Sequence, residues 1–347
     1  MNALQRLQAA IQGEPADRIP IFCNMLEQGA RELGLPMAEY YSRGEYVAEG
    51  QLRLREKYGH DNVWSLFYVG KEAELLGCRK ILFSDEGPPN VAHFVINNYE
   101  DVSGLEVPED VATHPAFEET AKCLNILRAE AGGKYPICAY LTASMTLPAL
   151  LMGMDRWLEL LLTGPEDVRD ELLEKCSEFF RKEIAAYRAA GADVLLYSNP
   201  FGSPYFLGQK YFQELSMPWM KRDLEPGGTA NVVYYCGGAR MNPVIDQVIK
   251  ELGLGAFYLG PEDDIAEGKR LVAGRGLTCG VINDIKLLSW TPAEVRAVVR
   301  EMIAAGKPGG RFLFGTILMP YQIPEENIHA MLDAAREFGS FEHAWSG

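Results

Sequence analysis

The chain has 347 residues and 48% hydrophobic content, enough to bury one large core or two smaller ones. Its formal charge is −15, from 48 acidic against 33 basic residues. That balance argues against nucleic acid, whose phosphates call for clustered Lys and Arg, and against an anionic membrane surface. Residues 1–12 read as a short amphipathic helix, without the apolar stretch or small-residue cleavage site of a signal peptide. No apolar run reaches the roughly 18 residues of a membrane-spanning helix. Seven cysteines, an odd number without framework spacing, point to a reducing cytoplasm.

Short β-branched or aromatic runs then alternate with longer helical patterns. Strands are predicted at 19–23, 62–67, 136–141, 193–198, 231–236, 256–260, 277–282 and 311–316. Helices are predicted at 37–58, 147–162, 165–190, 209–224, 242–252, 261–273, 292–305 and 324–338. Thr291-Pro292 and Pro324-Glu325-Glu326 mark helix starts, with proline in the first turn and acids near the positive helix end. Eight βα units predict a parallel sheet closed into a (β/α)8 TIM barrel, with its chemistry at the C-terminal strand ends. Between the second and third strands, 78–83 and 90–96 flank the turn-rich Asp85-Glu86-Gly87-Pro88-Pro89, so a β-hairpin insertion after strand 2 is expected. A helix over 115–131 leads back to the barrel.

Several motifs occur in a telling order. Asp17-Arg18-Ile19-Pro20 is similar to an Asp-Arg-Val-Pro opening. Tyr58-Gly59-His60-Asp61 precedes Glu72-Ala73-Glu74-Leu75-Leu76-Gly77, similar to Glu-Ala-Glu-x-x-Gly. The segment from Pro136-Ile137 to Thr146-Leu147 resembles a third-strand motif. Ala190-Gly191-Ala192-Asp193 precedes Asn199-Pro200-Phe201-Gly202-Ser203, and Val232-Val233-Tyr234-Tyr235-Cys236-Gly237 resembles a strand ending in His-x-Cys-Gly. Together these resemble the uroporphyrinogen decarboxylase superfamily, in particular its cobalamin- or corrinoid-dependent methyltransferase branch. The resemblance implies a single barrel domain over 1–347.

The resemblance also implies residues that can be checked singly. The decarboxylases carry arginines after strand one, where this chain has Leu26-Glu27-Gln28-Gly29-Ala30 and no arginine until Arg31. A gap-free count from Asp61 to Gly77 puts Tyr68 at the decarboxylases' catalytic aspartate. The literal Phe83-Ser84-Asp85 lies in the hairpin, and the histidine after strand eight falls on Thr316 or Ile317. Decarboxylation is therefore not expected. In thiol methylation, a histidine and two cysteines hold zinc. Here only Cys236 remains, Tyr234 takes the histidine position, and residues 314–318 contain no cysteine. A substitute zinc set would draw on Glu72, Glu74, His93 and Cys236, with Glu27 and Cys23 nearby after strand one.

The catalytic candidates are Asn199, Tyr234 and His93. Asn199 can also be read as a turn residue before Pro200, and Cys236 as a small buried hydrophobe. Cys78, Cys123, Cys138, Cys176 and Cys279 read as core, and His60, His114, His329 and His343 as residues outside the site. Tyr68, Tyr197, Phe201, Tyr205, Tyr235 and Tyr258 fall at or past strand ends and suit an apolar or aromatic ligand with one or two oxygens, although many must be ordinary packing. The expectation is a methyltransferase that moves a methyl group from a small methylated donor, such as a phenyl methyl ether, to Co(I) of cobalamin on a separate corrinoid carrier protein. The alternatives are a methylcobalamin:thiol methyltransferase of the coenzyme M type and a non-catalytic barrel that binds an aromatic or corrinoid ligand.

Overall fold

Eight strands line up in parallel around the molecule: β1 (Ile21–Asn24), β2 (Val63–Trp64), β5 (Ile137–Thr142), β6 (Val194–Ser198), β7 (Val232–Tyr235), β8 (Ala256–Tyr258), β9 (Leu277–Val281) and β10 (Phe312–Leu318). They form one sheet in the order β1-β10-β9-β8-β7-β6-β5-β2. The computed structural model describes residues 1–65, 67–225 and 228–341. The remaining two strands, β3 (Ile81–Leu82) and β4 (Asn90–Val91), pair antiparallel as the expected hairpin. The barrel is thus the predicted one, although the hairpin's paired part is only two residues on each side.

Side chains close the seam between β1 and β2. Asn62 mimics a strand neighbour: its Oδ1 accepts from the Cys23 N–H at 2.8 Å and its Nδ2 donates to the Cys23 carbonyl at 3.3 Å. The Asp61 N–H donates to the Ile21 carbonyl at 2.7 Å, and Asp61 Oδ2 accepts from the Ile21 N–H at 2.8 Å. Asp61 is buried, and Arg6 Nη1 (2.8 Å) and Arg18 Nη1 (2.5 Å) compensate its charge. Arg18 of the opening motif therefore serves closure of the barrel, not chemistry. Asp193 does similar work at the start of β6, where its carboxylate accepts from the Ile137 N–H at 2.9 Å.

Strand alternation divides the side chains into two sets. Phe22, Trp64, Tyr140, Leu196, Tyr235, Tyr258 and Leu313 pack with one another inside the barrel, and Leu7 and Ala10 of the first helix join them. Ile21, Cys23, Phe312 and Phe314 face outward to the last two helices, while Leu195, Tyr197, Tyr234 and Phe257 pack in the other part of the helical layer.

Three predicted helices are interrupted. Residues 37–58 split into Met37–Tyr40 and Gly44–Tyr58, and 147–162 break at Gly153, whose φ of 88° leaves the helical region. The stretch predicted at 209–224 starts earlier, at Pro204, kinks at Gly208 and passes through a π-helical turn, Phe212–Ser216, before Met217–Leu224. Among the described residues no helix is long and apolar enough to cross a membrane.

Candidate active site at the barrel mouth

The C-terminal strand ends carry polar groups that the apolar barrel interior leaves under-satisfied. On β5 and β6, Tyr140 Oη and Ser198 Oγ lie 2.5 Å apart, both buried. The rings of Tyr235 and Tyr258 meet edge-on at 6.0 Å. The hydroxyl of Tyr258 and the Oδ1 of Asn24 are buried without a hydrogen-bond partner among the described residues. Asp284, just after β9, is buried at 3% exposure, and its Oδ2 also has no hydrogen-bond partner among the described residues. Burial pushes the Asp284 carboxyl up to about 7, against the lowering effect of backbone N–H groups of its own residue and Ile317. Tyr235 is pushed well up by burial, with Tyr140 and Asp284 adding to the effect.

Beside these groups a recess of about 290 Å³ opens between the ends of β1, β2 and β10. Leu26, Glu27, Tyr68, Leu318, Met319 and Tyr321 line it, and hairpin residues 86–88 cover it. Gln322 Nε2 donates to the Glu86 carbonyl and ties this cover to the loop after β10. Glu27 is buried, and burial raises its carboxyl above the ordinary value. A long contact of 3.5 Å from the Tyr41 hydroxyl only partly offsets that effect. Tyr41, Tyr68 and the hairpin's Phe83 pack edge to face, with Tyr41–Tyr68 at 5.4 Å and Tyr68–Phe83 at 5.8 Å. The hairpin is therefore anchored by aromatic contacts at its base and by a hydrogen bond at its tip.

A second pair of acids sits behind β5. Glu72 accepts from the Thr142 N–H and from Thr142 Oγ1, both at 2.7 Å, yet burial pushes it up to about 7. Glu183 is fully buried, and its carboxyl is raised well above the usual range by burial and then by Glu72. Both carboxyls are therefore biased toward holding a proton.

The other predicted site residues are placed less simply. Asn199, Tyr234 and Cys236 do come together: Tyr234 feels both Cys236 and Asn199. The sequence predicts that they line the mouth, but their positions in the alternation turn them outward. Asn199 bonds Thr146 and Ser216 at 3.2 and 3.3 Å, Tyr234 reaches Met220 Sδ at 3.9 Å, and Cys236 reaches Met241 Sδ at 4.0 Å. None of the three is more than 1% exposed. Burial pushes the Cys236 thiol up to about 12. Gly237 follows with φ +64°, and a Cβ there would meet Pro200 at 2.5 Å, so the Cys-Gly turn is a close-packing device. Tyr197 also faces outward and donates to Asp223 Oδ2 at 2.7 Å.

Tyr235 and Tyr258 stand inside the barrel, and Tyr68 lines the recess while donating to Glu74 Oε2 at 2.7 Å. Phe201 is half-buried against Phe206, and Tyr205 is 76% exposed. His93 is exposed after β4. His343 lies outside the described residues.

The donor set does not fit a zinc ion. Among the described residues no three His, Cys, Asp or Glu side chains gather as a metal site. Both Glu72 oxygens are taken by Thr142, Glu74 is paired with Lys71 at 2.8 Å, and Cys236 is enclosed among Met241 and Tyr234. The set Glu72, Glu74, His93 and Cys236 is therefore not assembled in this structure. Asp284 was within reach of sequence reasoning, since it directly follows a predicted strand. Its signal is only that position, because no motif marks it.

A family model described as uroporphyrinogen decarboxylase (URO-D) matches residues 2–338. The chain belongs to the URO-D family. Methylcobamide:CoM methyltransferase MtbA of Methanosarcina mazei is 23% identical over 342 residues, covering 96% of this chain and 97% of the relative. Methylated-thiol–coenzyme M methyltransferase of the same organism is 26% identical, covering 97% and 90%. A solved methyltransferase from Methanosarcina mazei superposes with a TM-score of 0.84 at 20% identity, covering 97% of this chain and 99% of that one, which shows a shared fold.

Proposed function

We propose that this URO-D chain is a corrinoid-protein-dependent methyltransferase. It takes a methyl group from a small methylated donor of the phenyl methyl ether class and passes it to Co(I) on a partner corrinoid protein. The observation that carries this reading is end-to-end similarity to methylcobamide methyltransferases, joined to a mouth whose buried acids are carboxyls. Breaking a methyl–oxygen bond leaves a phenolate, a poor leaving group unless it gains a proton as the bond breaks. Burial raises the Glu27 carboxyl and pushes Asp284 up to about 7, which favours the proton-bearing form, and the apolar surroundings keep water from competing for the proton. Co(I) is the nucleophile, so the chain has to position the ether, exclude water and deliver the proton. The carrier would meet the barrel mouth as a transient partner.

The relatives' names favour a second reading, methyl transfer from methylcobamide to a thiol such as coenzyme M. That chemistry calls for a thiolate, and the zinc ligands that hold one in the resembled branch are replaced here at Tyr234 and missing from residues 314–318. A third, non-catalytic reading keeps ligand binding alone. The deciding experiment offers methoxyarenes, methylamines and methylthiols to the chain with a reduced corrinoid protein. Co(I) and methyl-Co(III) are distinguished by their visible spectra. Formation of methyl-Co(III) from a methoxyarene supports the first reading. Transfer only from methyl-Co(III) to a thiol replaces it with the second. Ligand binding without any transfer leaves the third.

A further inference from the structure

We propose that the recess under the hairpin binds the donor, a small single-ring aryl methyl ether, and that the Glu27 carboxyl gives the leaving oxygen its proton. This deepens the function proposed above and rests on it.

The recess has the dimensions and chemistry for such a molecule. Its volume of about 290 Å³ lies at the small end of ligand pockets, which suits one ring with its substituents. Leu26, Val69, Leu318 and Met319 supply apolar wall, and Tyr68 and Tyr321 supply aromatic faces. None of its described lining residues is basic. Behind the lining tyrosines, Arg31 stacks on Tyr321 at 5.3 Å and donates to the Tyr321 carbonyl, and Lys71 lies over the Tyr68 ring at 5.7 Å while paired with Glu74 at 2.8 Å. Of the two acids lining the recess, Glu86 is exposed and Glu27 is buried. Glu27 enters after β1 on a short turn, and among the described residues the one side-chain hydrogen bond to its carboxylate is the long one from Tyr41. Burial shifts its carboxyl upward, toward the acid form, against the lowering effect of its own backbone N–H and of Tyr41.

The bond changes balance without a further oxidant or reductant. The Co(I) electron pair on the partner corrinoid forms the cobalt–carbon bond as the methyl–oxygen bond breaks. The departing aryl oxygen takes the Glu27 proton and leaves as a phenol. Glutamate then regains a proton from solvent once the product has gone. The Gln322–Glu86 bond closes the hairpin over the recess, and it must open for donor exchange and for the corrinoid to reach the methyl group.

The test uses the full chain with guaiacol (2-methoxyphenol) as the probe and cob(I)alamin, or a reduced corrinoid protein, as acceptor. Guaiacol binding is read by calorimetry and methyl transfer by the Co(I) spectrum. Leu318→Phe and Val69→Phe, each checked for an unchanged Tm, should weaken guaiacol binding at least tenfold. Glu27→Gln should bind guaiacol within threefold of wild type. It should slow transfer by about a hundredfold or more and abolish the wild-type fall in rate at alkaline pH. Glu27→Asp should restore part of the rate. Guaiacol binding that ignores both filling variants overturns the recess as the donor site, as does direct binding of tetramethylammonium with no binding of guaiacol. A Glu27→Gln protein with wild-type rate and pH profile overturns the proton-donor role. If wild type transfers no methyl group from any donor, the functional reading fails and that role falls with it, while the binding arm still decides whether the recess is a ligand site.

Discussion

Two parts of the barrel rim, one around β1 and β10 and one around β6 and β7, occupy equivalent positions and have opposite fates. On the first side Glu27 lines a covered recess and contacts Tyr41 only at 3.5 Å. On the second side Asn199, Tyr234 and Cys236 are fully packed against Thr146, Ser216, Met220 and Met241. The second side carries the more recognisable sequence, since its Tyr-Tyr-Cys-Gly resembles a zinc-ligand motif. The lesson is that a strand end supplies the location of chemistry, while alternation decides whether a side chain faces the mouth or the helical layer.

The comparison breaks most sharply at Glu27. Its replacement by glutamine should cost about two orders of magnitude in methyl transfer. Cys236→Ser should change the rate less than threefold, because that thiol is enclosed and held protonated. A loss of rate at Cys236 matching that at Glu27 would mean that the outward-facing side opens to substrate in solution.

On the packed side the expected effect is on stability. Tyr234 is fully buried among large side chains, so Tyr234→Ala should destabilise by about 3–5 kcal/mol, and Tyr234→Phe by about 1 kcal/mol or less. Denaturant unfolding measures both. A Tyr234→Phe protein of unchanged stability that has lost methyl transfer would give the hydroxyl a role in the reaction.

Asp284 sharpens the comparison through pH. Its folded value of about 7 lies above the ordinary aspartate value of 3.8, so the folded state binds the proton more tightly than the unfolded chain does. Stability from this group is therefore greatest at low pH and is lost as pH rises from about 4 to about 7. Asp284→Asn removes the penalty. It should stabilise the protein by on the order of 2 kcal/mol at pH 8 and by little at pH 4, as read from thermal unfolding at the two pH values. An equal effect at both would show that Asp284 is solvated when ionised. The smallest effect is expected at His93. It is exposed, and the carboxylates proposed as its co-ligands are engaged elsewhere, so His93→Ala should leave the rate within twofold. A loss of activity there, together with bound zinc in the wild type, would mean that a metal site assembles on binding.

Eight strands, their parallel order and the hairpin were legible in the sequence because period-2 apolar runs and turn residues are local signals. The interrupted helices were not. Gly153 adopts non-helical backbone angles, and Phe212–Ser216 winds as a π-helical turn, neither of which an apolar period running through them reveals. The Asp-Arg-x-Pro opening, Asp61 and Asp193 were visible as motifs, yet their roles in closing and pairing strands appeared only once their partners across the barrel were in place.

The sequence by itself determined the family, the barrel and the set of residues at its strand ends, since these follow from pattern along the chain. Tertiary structure decided which of those residues look into the mouth, which acids lose their water, and that the hairpin folds over β1 and β10. Each of those outcomes depends on neighbours distant in the chain, for burial and a shared recess are properties of the packed whole and leave no local trace.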